Sequence, residues 1–164
     1  MPKAPKKARS KPSKKETGTG DPSFSLLRQA VRCTNDGVVI TDARRRDNPI
    51  IYVNSAFERI TGYSGSEVLG RNCRFLQGRE HRQSPLEEVR EALREKRPCL
   101  VTVRNYRKNG VRFFNELSIS PVFSHRGVLT HHVGIIKDVT KRMAAEKRAT
   151  GYLAKLKRAN KRLQ

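Results

Sequence analysis

The stretch from Gly70 to Gly78 reads G-R-N-C-R-F-L-Q-G. It holds one thiol (Cys73), two guanidiniums (Arg71, Arg74), two carboxamides (Asn72, Gln77) and one apolar pair (Phe75, Leu76) between glycines. Core segments rarely mix so many hydrogen-bonding groups with so few apolar ones, so the stretch reads as a pocket wall facing something polar and partly anionic. Arg74, and Arg90 from the following helical segment, can each hold a phosphate in bidentate fashion. A lone cysteine is most often a small buried hydrophobe, but Cys73 is flanked by Asn and Arg. A hydrolytic cysteine needs a positioned base, and the nearest histidine, His81, sits in a polar loop with nothing to fix it. His125, His131 and His132 show no metal-ligand spacing. The glycine-rich phosphate loop, the dinucleotide fingerprint and the serine-hydrolase elbow are all missing. The residues therefore point to binding rather than catalysis.

A second polar signal lies downstream. Leu100–Tyr106 and Val111–Val122 are β-type runs joined by Lys108-Asn109-Gly110, a hairpin signal. Alternation puts Val101, Val103 and Asn105 on one face of the first run. It puts Phe113, Asn115, Leu117 and Ile119 on one face of the second. Each otherwise apolar face thus carries one asparagine. An odd loop centred on Gly110 sets Asn105 opposite Asn115, which a two-residue turn would not do. A carboxamide on an apolar face costs a few kcal/mol unless hydrogen-bonded. The two can satisfy each other, hold water, or present matched donors and acceptors to a planar heterocycle. Phosphate at one end, amides at the other and a thiol nearby describe a site for a mononucleotide with a reactive ring.

The flanking pattern says what must position these groups. Phe24 to Cys33 reads as a helix with Leu27, Ala30 and Val31 on one side. Val38–Thr41 and Ile50–Val53 are short strands around the Asp47-Asn48-Pro49 turn. Asn54-Ser55 opens a helix with Ala56, Phe57 and Ile60 inward, stopped at Gly62, and Ser64 to Glu67 forms a capping box. Ser84-Pro85 starts another helix, with Ser84 as cap and Glu87 reaching back; Leu86, Val89, Ala92 and Leu93 make its apolar face. Leu129–Val139 is a last strand, and Thr140 caps a C-terminal helix. Ala145, Ala149, Tyr152, Leu156, Ala159 and Leu163 form a short coiled-coil-like seam on it. The expected fold is α+β: a five-stranded antiparallel sheet with short helices on one face and a flanking helix at each end.

The chain has 164 residues and a net charge of +21. The excess is concentrated in the tails. Residues 1–20 hold seven Lys or Arg against one Glu, and residues 141–164 hold nine against one. Such tails suit nucleic acid or another anionic partner, or simply keep a solvated segment in solution. The expected organisation is a basic disordered tail over 1–20, a flanking helix over 21–34, a folded core over 35–140 and a basic helix over 141–164. Three cysteines, Cys33, Cys73 and Cys99, are too few and too scattered for a disulfide framework. Cys33 and Cys99 lie among apolar neighbours and read as core. No apolar run approaches the roughly 20 residues that span a bilayer, and no secretory signal is visible, so a cytoplasmic protein is expected.

The residues Gly70–Gln77 match G-x-N-C-R-F-L-Q, and the chain resembles the LOV domains, the blue-light-sensing branch of the PAS superfamily. The resemblance also covers Tyr52-Val53-Asn54, Thr61-Gly62-Tyr63, Asn105 to Gly110, Phe114-Asn115 and Asp138-Val139-Thr140. It spans roughly residues 26–140. It implies a short LOV photoreceptor: a PAS fold that binds FMN (FAD or riboflavin in some members). In that family blue light joins a cysteine sulfur to flavin carbon 4a, and the bond reverts in darkness. By position Cys73 would be the photoactive thiol. Asn105 and Asn115 would bond the pyrimidine edge, Asn72 and Gln77 the ribityl chain, and Arg74 and Arg90 the phosphate. Val39, Thr41, Leu76, Val103, Leu117, Ile119 and Ile136 would surround the ring. The terminal helices would form a homodimer and carry the signal. A PAS module that senses a ligand or redox state without photochemistry is the alternative.

Two departures stand out. Some short members add arginines after the motif; here His81 and Leu86 stand at two of those positions, with Arg82 a partial substitute. LOV domains also usually carry a glutamine on the last strand, where this chain has Ile136, a residue with neither donor nor acceptor. Adduct formation needs only flavin and thiol. The wild-type protein should therefore still bleach, and should absorb to the blue of an Ile136→Gln variant. Unchanged or red-shifted absorption of the wild type would contradict that.

Overall fold

The computed structural model describes residues 22–161. The chain runs α1 (Pro22–Cys33), β1 (Gly37–Asp42), β2 (Ile50–Val53), α2 (Ser55–Thr61), α3 (Gly65–Val68), a 3₁₀ turn (Cys73–Gln77), α4 (Pro85–Glu95), β3 (Cys99–Tyr106), β4 (Arg112–Phe123), β5 (Leu129–Asp138) and α5 (Thr140–Lys161). The strands form one sheet in the order β2-β1-β5-β4-β3, antiparallel at every pairing. The first hairpin thus lies beside the last strand, and the segment from α2 to α4 crosses between them. This is the expected α+β architecture. The expected tail over 1–20 lies outside the described residues. Among the described residues, no helix is long and apolar enough to cross a membrane.

The core gathers Val39, Ile50, Phe57, Val68, Leu76, Phe113 and Ile136 from both halves of the sheet and the crossing segment. Burying a side chain such as Phe57 contributes about 1.5–3 kcal/mol. Helix α2 is short, so its ends matter: Asn54 caps it and Gly62 closes it. Glu67 accepts from the Ser64 backbone N–H at 2.9 Å, as the capping box predicts.

The β3–β4 hairpin corrects an expectation. Asn105 lies opposite Phe113, and Asn115 opposite Val103. The three-residue loop Lys108-Asn109-Gly110 is centred on Asn109, because its left-handed position is the third one, where Gly110 has φ 82°. Parity is preserved, so both asparagines face the same way, but they meet diagonally. Helix α4 brings a second correction. Ser84 sits in helical conformation and its side chain makes no capping bond. The N–H groups that a cap would serve donate to backbone carbonyls instead, Leu86 N to Gln83 O at 2.9 Å and Glu87 N to Ser84 O at 3.1 Å. Gln83 takes the anchoring role: its carbonyl oxygen accepts the Arg104 N–H at 2.7 Å, and its amide donates to the Arg104 carbonyl at 2.8 Å. A buried side chain therefore extends the edge strand β3 as a further strand would.

Helix α1 departs too. Leu27 and Ala30 of the expected apolar side are exposed, and so is Cys33, which is surface rather than core. Cys99 is half-buried. The end of α1 is instead held through polar bonds from Asn54. Its Oδ1 accepts from Val38 N (2.8 Å) and Phe57 N (2.9 Å), and its Nδ2 donates to Val31 O, Thr34 Oγ1 and Asp36 O. Asn54→Ala strips the α2 cap and orphans the buried Val38 N–H. It should lower unfolding free energy by about 2–4 kcal/mol in denaturant titrations; a loss below about 1 kcal/mol would show that the Asn54 network is replaceable.

Candidate functional site

One sheet face and the crossing segment enclose a cavity of about 460 Å³. Its floor follows the period-two alternation of four strands: Val39 and Thr41 on β1, His132, Gly134 and Ile136 on β5, Asn115, Leu117 and Ile119 on β4, and Val103 and Asn105 on β3. Its walls come from the 3₁₀ turn (Cys73, Arg74, Leu76, Gln77) and α4 (Leu86, Val89, Arg90, Leu93), with Asn72, His81 and the Asp47-Asn48 turn at the rim. All fourteen residues singled out from the sequence line this one cavity.

The 3₁₀ turn is pinned from several sides. Asn72 Oδ1 accepts from Arg74 N at 2.9 Å, and its Nδ2 donates to the Asp47 carbonyl at 2.6 Å. Leu76 is buried in the core. Phe75 meets the Tyr63 ring edge-on at 5.0 Å and lies under the Arg71 guanidinium at 4.2 Å. Gly78 closes the turn at φ 57°, where a Cβ would lie 2.8 Å from the Tyr106 ring, so a side chain is excluded on two grounds. Cys73 lines the cavity from this rigid turn. Burial pushes its thiol up to about 12, so it is protonated at neutral pH. Neither His81 nor His132 is hydrogen-bonded to it: His81 Nδ1 lies 3.4 Å from Gln77 Oε1, and His132 has no partner. A hydrolytic thiolate has no support in this geometry. Among the described residues no group of metal-ligating side chains forms.

The asparagines satisfy each other in part. Asn115 Nδ2 donates to Asn105 Oδ1 at 2.9 Å, Asn105 Nδ2 donates to the Arg104 carbonyl at 3.1 Å, and Asn115 Oδ1 accepts from Lys137 N at 3.2 Å. Four amide hydrogens serve two of these bonds, which leaves donor capacity for a heterocycle edge. Midway along the floor stands Gly134. A Cβ there would lie 2.8 Å from Val39 Cγ1, so glycine is what leaves room for the Val39 side chain on the floor.

The basic groups are less free than the sequence suggests. Arg74 grips Asp47 with both arms, Nη1 to Oδ2 at 3.0 Å and Nη2 to Oδ1 at 2.5 Å. Arg90 Nη2 donates to the His81 carbonyl at 3.0 Å. Arg82 is exposed and does not line the cavity, whereas His81 and Leu86 do. Asp47, Asn48, Val89, Leu93, His132 and Gly134 are the lining residues that sequence reasoning missed. Strand parity reaches two of them, since Gly134 and His132 precede Ile136 at intervals of two.

A protein-family profile described as a PAS domain matches residues 35–141. The chain belongs to the PAS superfamily, in its LOV branch. It is 45% identical over 122 residues to a blue-light photoreceptor of Listeria monocytogenes, covering 74% of this chain and 48% of that protein. It is 41% identical over 114 residues to a blue-light-activated histidine kinase of Brucella canis, covering 70% of this chain and 23% of that one. A solved structure described as an RNA-binding Light-Oxygen-Voltage receptor matches with TM-score 0.74 and 33% identity, over 93% of this chain and 42% of that chain. The chain thus spans about half or less of the length of the relatives it matches.

Asp47 competes with any anion for the Arg74 fork. Asp47 already has φ 70°, a conformation Asn also tolerates, so Asp47→Asn leaves the turn intact. The variant should strengthen binding of an anionic ligand about two- to fivefold, the size of an exposed ion pair, and leave a neutral ligand of the same shape unchanged. Equal effects on FMN and riboflavin, used as that pair of probes in fluorescence titrations, would break the link to the anion.

Proposed function

We propose that this LOV domain is a blue-light receptor that binds FMN and joins it reversibly to Cys73. The observation that carries this reading is one cavity lined by both the Cys73 thiol and the Asn105–Asn115 pair, in a chain similar to blue-light photoreceptors. The cavity volume is in the range of cofactor sites. The spare amide hydrogens and the rim arginines suit a planar ring with a phosphate tail.

Each residue then has a task. Asn105 and Asn115 hold the pyrimidine edge, and Asn72 and Gln77 face the ribityl chain. Arg74 and Arg90 turn to the phosphate, Arg74 by sharing or releasing Asp47. Val39, Thr41, Leu76, Val103, Leu117, Ile119 and Ile136 exclude water from the ring. The flavin, when bound, supplies the blue absorption and the carbon to which sulfur adds. Cys73 is kept as a protonated thiol in darkness, so the unilluminated site stays unreacted.

Ile136 cannot report the new bond by hydrogen bonding. Asn115 offers another exit, because it touches Asn105 at the site and the Lys137 N–H on β5. The next residues lead directly into α5: Asp138 accepts from Thr140 N, and Thr140 Oγ1 accepts from Phe114 N. On α5 Tyr152, Leu153 and Leu156 are exposed, a surface suited to a second copy of the chain. A nucleic-acid partner is the second reading for output. It is favoured by the basic C-terminal segment and by the likeness to a receptor described as RNA-binding.

Purified protein should be yellow, bleach under blue light and recover in darkness. Cys73→Ala should keep the colour and lose the bleaching. Protein that stays colourless after reconstitution with FMN sinks the reading, and bleaching that survives Cys73→Ala removes the sulfur from it.

A further inference from the structure

His132 is the cavity group that none of these roles uses. It is 6% exposed, and both ring nitrogens are buried without a hydrogen-bond partner, the only such side-chain atoms among the described residues. An unpaired buried polar group costs about 1–3 kcal/mol. The imidazole is on the cavity floor, on the same strand face as Gly134 and Ile136. Thr41 stands opposite it on β1, and Pro121 opposite it on β4. Asn115 pairs with Asp138, six residues further along β5, or about 20 Å of strand. His132 therefore marks the end of the floor away from the asparagine pair.

We propose that His132 is a ligand-contacting residue of this cavity, and that the cavity accepts a flavin ring only over the neutral imidazole. The inference rests on the flavin reading above. With the cavity open, the side chain can turn its buried ring nitrogens toward the cavity and be solvated there once protonated. A bound ring seals that route and sets an apolar edge against the imidazole, so binding and protonation oppose each other. Burial already holds His132 below the usual histidine range.

The surrounding charges give no compensating anion. On β1 the nearest carboxylate, Asp42, is held by Arg44 through Nε at 2.9 Å and Nη2 at 3.0 Å. On β5 the neighbour is His131, whose Nε2 lies 3.4 Å from Arg44 Nη2. β4 contributes the uncharged Pro121. Across the cavity stand Asp47, spent on Arg74, and then Cys73, His81 and Arg90. A proton on His132 therefore meets no free carboxylate. Linkage fixes the sign: the ligand lowers the His132 pKa, so affinity is full at neutral pH and falls as pH drops through the pKa of the unliganded protein.

Riboflavin is the decisive probe, because it lacks the phosphate whose own ionisation, and whose attraction to His81 and Arg90, would change with pH. Its dissociation constant is read by fluorescence titration of the full chain, with circular dichroism confirming the fold at each pH. For wild type it should change less than about twofold between about pH 7.5 and about pH 6.5, then climb toward the limit of about tenfold per pH unit for one proton as pH falls further. His132→Phe and His132→Gln should both flatten the curve, and either suffices if the other does not fold. A flat wild-type curve, or variants that keep the wild-type slope, overturns the role of His132 while leaving the flavin site intact. Failure of riboflavin and FMN to bind at any pH overturns the flavin reading, and this inference with it.

Discussion

The hydrogen bond from Asn115 Nδ2 to Asn105 Oδ1 is the contact on which the site depends. Two carboxamides on an apolar sheet face are tolerable only when hydrogen-bonded, and here register brings them together. Register is set by a three-residue loop whose last position must be left-handed, and Gly110 fills it. The pair is then tied at both ends. Arg104, which accepts from Asn105, is clamped on its own amide and carbonyl by Gln83. Asn115 accepts from Lys137 on β5. A chain of polar bonds thus runs from the loop before α4, through the cavity edge, to the residue beside Ile136. These bonds lie across a low-dielectric interior, where each is worth more than at the surface and each vacancy costs more.

Opposite this floor, the 3₁₀ turn is held by packing rather than by a sheet. Leu76 inserts into the core, Phe75 is wedged between Tyr63 and Arg71, and Gly78 admits the Tyr106 ring. Cys73 is thereby presented by a short rigid element, with its thiol kept neutral by burial. The same turn supplies the rim arginine, and there the structure shows restraint: Asp47 neutralises Arg74 through a bidentate pair that is half-exposed on both sides. Exposed pairs of this kind are weak enough to exchange for a ligand anion.

Much of this was legible in the sequence. Alternation placed Val103, Asn105, Asn115, Leu117 and Ile119 on one face, and the polar stretch around Cys73 read correctly as a cavity wall. The diagonal offset of the asparagines was not legible, because parity fixes the face while turn conformation fixes the step. Ser84 looked like a cap by residue type, yet the bonds there run from Gln83 to a strand that only the fold brings near. The exposure of Leu27 and Ala30 was hidden for a similar reason: a helical stripe shows which residues share a side, not whether anything covers it.

His132 and Ile136 show how one strand can relocate polarity without changing shape. Both face the cavity from β5, with Gly134 between them. The resemblance to LOV domains leads one to expect a hydrogen-bonding amide at the position of Ile136, beside the asparagine pair, and that position is apolar and 2% exposed. The polar group instead lies four residues earlier, at the far end of the floor, without a partner. In the proposed reading the missing amide leaves Asn115, which bridges to Lys137, as the group able to report the new bond. Placing an imidazole at the other end adds a titratable group where the remaining floor is mainly apolar. In the proposed readings the two residues therefore act on different properties, the exit of the signal at one end of β5 and the terms of ligand entry at the other.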